Sequence, residues 1–172
     1  EVIKSLIDQY LPLFRSDKFN ICCDETFDLD NCGLSKEESG KLYIEFVLKI
    51  INYVKSKGKT PMMWGDILLQ HPEAAKLLPG DVILLNWDYD PYTEDKRFEV
   101  LEKLGRKQIS CPGTSSWYNF CEIIDKAEKN ICNMAYIGAR HGIEGLLNTN
   151  WGDHGNVCSI ELAMYGLALG AD

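Results

Sequence analysis

Short apolar runs alternate along this chain with longer stretches of helical periodicity, and that alternation most limits what it can fold into. The runs are KFNICC, PMMW, VILLNW, QISC and GLLNTN. Between them the apolar residues recur every three or four positions. Val2, Ile3, Leu6, Ile7, Tyr10, Leu11 and Phe14 mark one face of an opening helix whose end Pro12 blurs. Ser35 and Glu38 have capping-box spacing and open a helix through YIEFVLKIINYVKSKG that stops at Gly58. PEAAKLL, TEDKRFEVLEKLG, CEIIDKAEKNICNMAYIGARHG and SIELAMYGLAL read as further helices, and DETFDLDNCG as a long polar loop. Strands alternating with helices pair in parallel, so the fold class is α/β, with about five strands and about six helices.

Polar and aromatic residues gather just after each strand: Asp24-Glu25, Trp64 and Asp66, Trp87-Asp88-Tyr89, Ser115-Ser116-Trp117-Tyr118, and Trp151 and Asp153. In a (β/α)8 TIM barrel the catalytic face is built from such strand ends. An open doubly wound sheet concentrates its site at one switch point, and no Gly-rich phosphate fingerprint follows any strand here. The pattern therefore predicts part of a TIM barrel, with residues 1–172 as a single domain and no linker.

Charge and composition narrow the ligand. The net charge is −8, with the basic residues scattered, which argues against nucleic acid. No apolar stretch is long enough to span a bilayer. The opening residues lack a basic n-region and a cleavage site, which predicts a cytoplasmic protein unless a signal precedes them. The seven cysteines, Cys22, Cys23, Cys32, Cys111, Cys121, Cys132 and Cys158, form no CxxC pair and read as reduced thiols. His71 and His141 read as structural or solvent-facing, and His154 as a loop residue beside Asp153. No set of residues has metal-ligand spacing, so no metal or cofactor is expected.

All four tryptophans lie at strand ends. A sugar ring has apolar C–H faces and hydroxyl edges, so its pocket needs flat aromatic walls and carboxylates. One tryptophan is most simply a plug at the end of a barrel, but four in equivalent places with polar neighbours point to a carbohydrate site. A DE dipeptide alone is usually solvated surface. Directly after a buried strand, however, a packed backbone can fix both carboxylates, and glycosidic cleavage needs a proton donor because an alkoxide leaves poorly.

With these residues in view, FNICCDETFDL resembles the signature of the β-N-acetylhexosaminidases of glycoside hydrolase family 20, which places Asp-Glu at the end of the fourth barrel strand. PMMWGDIL, LLNWDYD, GTSSWYNF and LLNTNWGDHGN are similar to that family's strands five to eight, in order. The resemblance spans nearly the whole chain and implies the C-terminal part of the catalytic barrel, about strands 4–8 with their helices. It implies a retaining, substrate-assisted hydrolysis of terminal β-linked N-acetylglucosamine or N-acetylgalactosamine. Glu25 would protonate the leaving oxygen, and Asp24 would orient the 2-acetamido group as its oxygen attacks the anomeric carbon. Trp64, Trp87, Trp117 and Trp151 would box the sugar, Tyr89 would bind the acetamido oxygen, with Tyr118 competing for that role, and Asp153 would bind outer hydroxyls. Asp66 and Asp88 would support them or simply cap helices. Where the family often has His, Gly and Gly before the acidic pair, this chain has Asn20, Cys22 and Cys23. An arginine that the family keeps at the end of its first strand has no counterpart here.

Two other functions fit the same residues: a hydrolase of another bond or glycoside using these carboxylates, and a carbohydrate-binding fragment without catalysis. An exposed parallel strand edge also predicts some self-association.

Overall fold

The computed structural model describes residues 1–172 apart from the side chain of Asp30. Helix α1 spans Val2–Tyr10 and runs into a 3-10 turn, Leu11–Leu13, because Pro12 has no N–H to continue an α-helix. Strand β1 (Lys18–Asn20) is followed by a five-residue helix α2 (Phe27–Asn31) inside the segment expected to be a loop. So short a helix carries no readable periodicity. It is fixed by tertiary context, with the Ser39 hydroxyl reaching the Leu29 carbonyl at 3.4 Å.

Next come α3 (Lys36–Ser56), β2 (Thr60–Trp64), α4 (Asp66–Gln70), α5 (Pro72–Ala75), β3 (Ile83–Trp87), α6 (Asp95–Lys103), β4 (Lys107–Cys111), α7 (Ile124–Arg140), α8 (Asp153–Asn156) and α9 (Met164–Leu169). The strands form one parallel sheet in the order β1-β2-β3-β4, flanked by helices. Lys18 pairs with Thr60, Phe19 with Pro61 and Asn20 with Met62.

The expected fifth strand, GLLNTN, is present as two parallel bridges beside β4, Ser110 to Leu146 and Gly113 to Thr149. Ser110 N donates to the Gly145 carbonyl, Leu147 N to Ser110, Thr149 N to Pro112 and Thr114 N to Thr149. The ladder is broken where Pro112, lacking an N–H, has nothing to donate toward Leu147.

The chain divides into two compact units, Glu1–Leu84 with Lys103–Lys107, and Leu85–Glu102 with Gln108–Asp172. In the first, α3 buries one stripe, Ser39, Gly40, Tyr43, Ile44, Val47, Ile51 and Val54, at the spacing that its sequence sets. Val54 packs with Ile7 and Leu11, against Phe19 and Ile21, each fully buried aliphatic contributing about 1.5–3 kcal/mol. The capping box forms, with Ser35 N on Glu38 Oε2 at 2.9 Å and Glu38 N on Ser35 Oγ at 3.3 Å.

In the second unit Phe98, Met134 and Ile137 form a core with Ile143. The buried Gln108 side chain donates to the Phe98 carbonyl at 3.1 Å and accepts from Asn86 at 3.1 Å, so a polar pair inside the sheet is tied to its neighbours. No described helix is long and apolar enough to cross a membrane.

Candidate active site

In the first unit the chain leaves β1 by a backbone that continues the ladder and then reverses hand. Ile21 N donates to the Met62 carbonyl at 2.9 Å, and Trp64 N to the Cys22 carbonyl at 3.1 Å. Cys22, Cys23 and Glu25 then adopt positive φ of 60°, 69° and 47°. For an L-residue each such conformation costs about 1–2 kcal/mol, which glycine would avoid. Cysteines therefore occupy the left-handed positions where the resembling family often has glycines.

Three side chains hold this turn. Asn20 Oδ1 accepts from Cys22 N at 2.9 Å, the Tyr43 hydroxyl donates to the Cys23 carbonyl at 2.7 Å, and Glu25 N donates to Asp66 Oδ2 at 3.0 Å. Burial first, and then the neighbouring Cys23, Asp66 and Asp24, push the Tyr43 hydroxyl far above its usual range, so it stays a donor. Burial, followed by the charges of Cys22, Asp24 and Asp66, also pushes the Cys23 thiol up to about 12. It is an unreactive, packed thiol.

Asp24 is half-buried and Glu25 exposed, while Trp64 is buried at the end of β2. A cavity of about 510 Å³ opens beside Glu25, lined by Phe27, Leu42, Tyr43 and Phe46 among others.

In the second unit the aromatic residues meet. Trp87 ends β3, and its ring stacks on that of Tyr89, centroids 5.3 Å apart at 21°. Trp117 meets Tyr89 edge-on at 4.7 Å and 65°. The Trp151 indole Nε1 donates to the Tyr89 hydroxyl at 2.5 Å. Three indoles thus surround one phenol.

The groups behind this cluster explain its position. Asn130, fully buried on α7, donates to the carbonyls of Asp88 and Asp90, both at 2.9 Å, and accepts from Gly113 N at 2.9 Å. It holds the backbone on both sides of Tyr89. Gly113 is required for contact: a Cβ there would lie 2.9 Å from the Thr149 hydroxyl and 2.9 Å from the Trp117 ring. Asn150 Oδ1 accepts from the Thr114 hydroxyl at 2.7 Å and from Ser116 at 2.6 Å, tying together the backbones that carry Trp151 and Trp117. Arg97 donates to the Trp87 carbonyl at 2.5 Å and lies 5.9 Å from the center of its ring.

Asp88 accepts from Asp90 N at 3.1 Å and faces Arg97 at 3.5 Å, so it organises its loop. Asp153 is exposed at the start of α8. His154, at φ 57°, packs its ring 4.5 Å from that of Tyr118, which is itself exposed. His71 packs at the Gly40 face of α3, and His141 Nδ1 lies 2.7 Å from Glu102. Among the described residues no cluster of His, Cys, Asp or Glu could hold a metal, and all seven cysteines are free thiols.

The structure thus brings Asp24, Glu25 and Trp64 to neighbouring strand ends of the first unit, and Trp87, Tyr89, Trp117 and Trp151 together in the second. Sequence reasoning missed Tyr43, Asn130 and Asn150. The signal for the first two was readable: each is a polar group on the apolar face of its helix, Asn130 between Ala127 and Ile131, where burial without partners would be costly.

No protein-family model matches the sequence, and no curated protein does either. Among solved structures, the chain is similar to the crystal structure of a β-N-acetylhexosaminidase from Bacteroides fragilis NCTC 9343, with a TM-score of 0.61 and 17% identity. The likeness covers 96% of this chain and 38% of that one, so the chain spans less than two fifths of that structure's length. At this identity the likeness establishes the fold: an α/β chain matching part of a TIM barrel.

Proposed function

We propose that this chain carries the acidic pair and sugar-binding aromatics of a family 20 β-N-acetylhexosaminidase, removing terminal β-linked N-acetylhexosamine with retention. Glu25 donates its proton to the glycosidic oxygen while the bond to the anomeric carbon breaks. The substrate's own acetamido oxygen forms the new bond there, giving an oxazolinium ion, with Asp24 orienting the acetamido group and steadying its positive charge. Water then adds at the anomeric carbon as its bond to the acetamido oxygen breaks, restoring the acetamido group, and the Glu25 carboxylate takes the water's proton. Because the substrate supplies the nucleophile, the two acids can be adjacent, whereas an ordinary retaining pair flanks the bond with carboxyls ~5–5.5 Å apart.

The observation that carries this reading is the set of three indoles around the Tyr89 phenol. An apolar wall with one oriented hydroxyl suits an acetamido group, which has a methyl and a carbonyl oxygen to bind. The exposed Tyr118 lacks such walls. Trp64, in the first unit, is read as a sugar wall, and Asp153, in the second, as a hydroxyl-binding acid.

The test is hydrolysis of an aryl N-acetyl-β-glucosaminide by the wild-type protein, Glu25→Gln and Asp24→Asn. Turnover by the wild type, with losses of at least ~100-fold in both variants, is expected. Full rate in both variants would refute the assignment. The exposure of Glu25 favours one second reading, carbohydrate binding without cleavage. Binding of a thiazoline analogue by a wild type that turns nothing over would support it.

A further inference from the structure

The peptide planes on the two sides of Asp24 are each held by one side chain from a different element. The Cys23 carbonyl, in the plane before Asp24, accepts from the Tyr43 hydroxyl of α3 at 2.7 Å. The Glu25 N–H, in the plane after it, donates to Asp66 Oδ2 of α4 at 3.0 Å. Holding both planes restrains φ and ψ of Asp24, and the Phe27 N–H, donating to the Glu25 carbonyl at 2.8 Å, restrains the plane after Glu25, so the directions in which both side chains leave the backbone are held together. Glu25 sits at φ 47°, a conformation that an L-residue would leave without such restraint. Tyr43 is 3% exposed, so its end of the restraint is packed.

We infer that Asp66 is a positioning residue for the proton donor: its carboxylate anchors the Glu25 amide and thereby aims the Glu25 carboxyl at the leaving oxygen. The inference rests on the hexosaminidase reading of Glu25. Its chemical signature follows from what a proton donor does. A leaving group that departs as a stable anion needs little protonation, whereas a basic one depends on it. In the bond-cleaving step, which kcat/KM reads, a misaimed Glu25 therefore penalises poor leaving groups selectively, while a generally loosened structure penalises all substrates alike.

The experiment compares wild type, Asp66→Ala and Asp66→Asn on the 4-methoxyphenyl and 2,4-dinitrophenyl N-acetyl-β-glucosaminides. Asp66→Ala is expected to lower kcat/KM ~10- to 100-fold on the 4-methoxyphenyl substrate, with a loss ~10-fold smaller on the dinitrophenyl one. Asp66→Asn, whose amide oxygen can accept the same N–H, is expected to recover to within ~3-fold of wild type. Equal losses on both substrates, or an Asn variant as impaired as the Ala variant, would overturn the inference. Hydrogen exchange of the Glu25 amide gives a readout independent of turnover: protection in wild type and Asp66→Asn, faster exchange in Asp66→Ala. Unchanged protection in Asp66→Ala overturns the inference and leaves the hexosaminidase reading intact. A wild type that cleaves neither substrate overturns that reading and, with it, the catalytic role given to Asp66.

Discussion

The indole N–H of Trp151 donates to the hydroxyl of Tyr89 at 2.5 Å, across 62 residues of sequence. Accepting a bond polarises the phenol as a donor in its own right, which is the role that the proposed function gives it toward an acetamido oxygen. Tyr89→Phe keeps the ring and its stacking on Trp87 and removes only the oxygen. We expect kcat/KM for N-acetyl substrates to fall ~10- to 100-fold, and the thermal midpoint to drop by about 2–4 °C for the lost Trp151 bond. Unaltered kinetics would reduce Tyr89 to packing.

Asn130 makes three buried bonds to backbone on both sides of Tyr89. Asn130→Ala leaves two carbonyls and one N–H without this partner, so a loss of about 2–4 kcal/mol is expected. Urea unfolding would register it as a lower midpoint at unchanged slope. A loss under ~0.5 kcal/mol would mean that water replaces the amide at no cost.

Cys22 is exposed at φ 60°, whereas Cys23 is half-buried at φ 69°. Glycine at either position relieves backbone strain, but at Cys23 it also deletes a packed side chain. Cys22→Gly should therefore stabilise the protein by about 0.5–1 kcal/mol after the entropy of the unfolded glycine is counted, and Cys23→Gly should gain less or lose. Denaturant midpoints of the two variants decide the matter. Destabilisation by Cys22→Gly would show that the left-handed turn is not strained.

Asp81 and Glu38 are among the carboxylates that link stability to acid. The Lys55 hydrogen bond, at 2.8 Å, holds Asp81 below the ordinary carboxylate range, and the Ser35 hydroxyl and then its N–H do the same for Glu38. Both folded-state values are depressed. Their contribution is therefore complete above the unfolded-state values and is lost as pH falls through the folded ones. Wild type should lose more stability between pH 6 and pH 3 than Asp81→Asn does, measured by urea midpoints. Equal losses would remove Asp81 from the account.

The same α3 helix marks where sequence reading succeeds and where it stops. The capping box at Ser35 and Glu38, the apolar stripe down to Val54, and the left-handed Gly58 after the last turn all form as the residues indicate. These are local rules, written in spacings of three and four. The segment after Glu25 reads as a loop because a five-residue helix has no period to detect, and GLLNTN reads as a complete strand because the gap left by Pro112 belongs to its neighbour.

For Asp24, Glu25 and the tryptophans, the sequence by itself determined that they stand at strand ends, because strands and helices of these lengths can only alternate in a parallel α/β layout. It did not determine the handedness of the CCDE turn, or that Tyr43 and Asp66 grip the peptides around Asp24. Nor did it show that Asn130 and Trp151 converge on Tyr89. Those relationships join residues 20 to 62 positions apart. A hydrogen bond at that separation leaves no periodic trace, because it forms only after packing has paid the entropy of bringing the elements together.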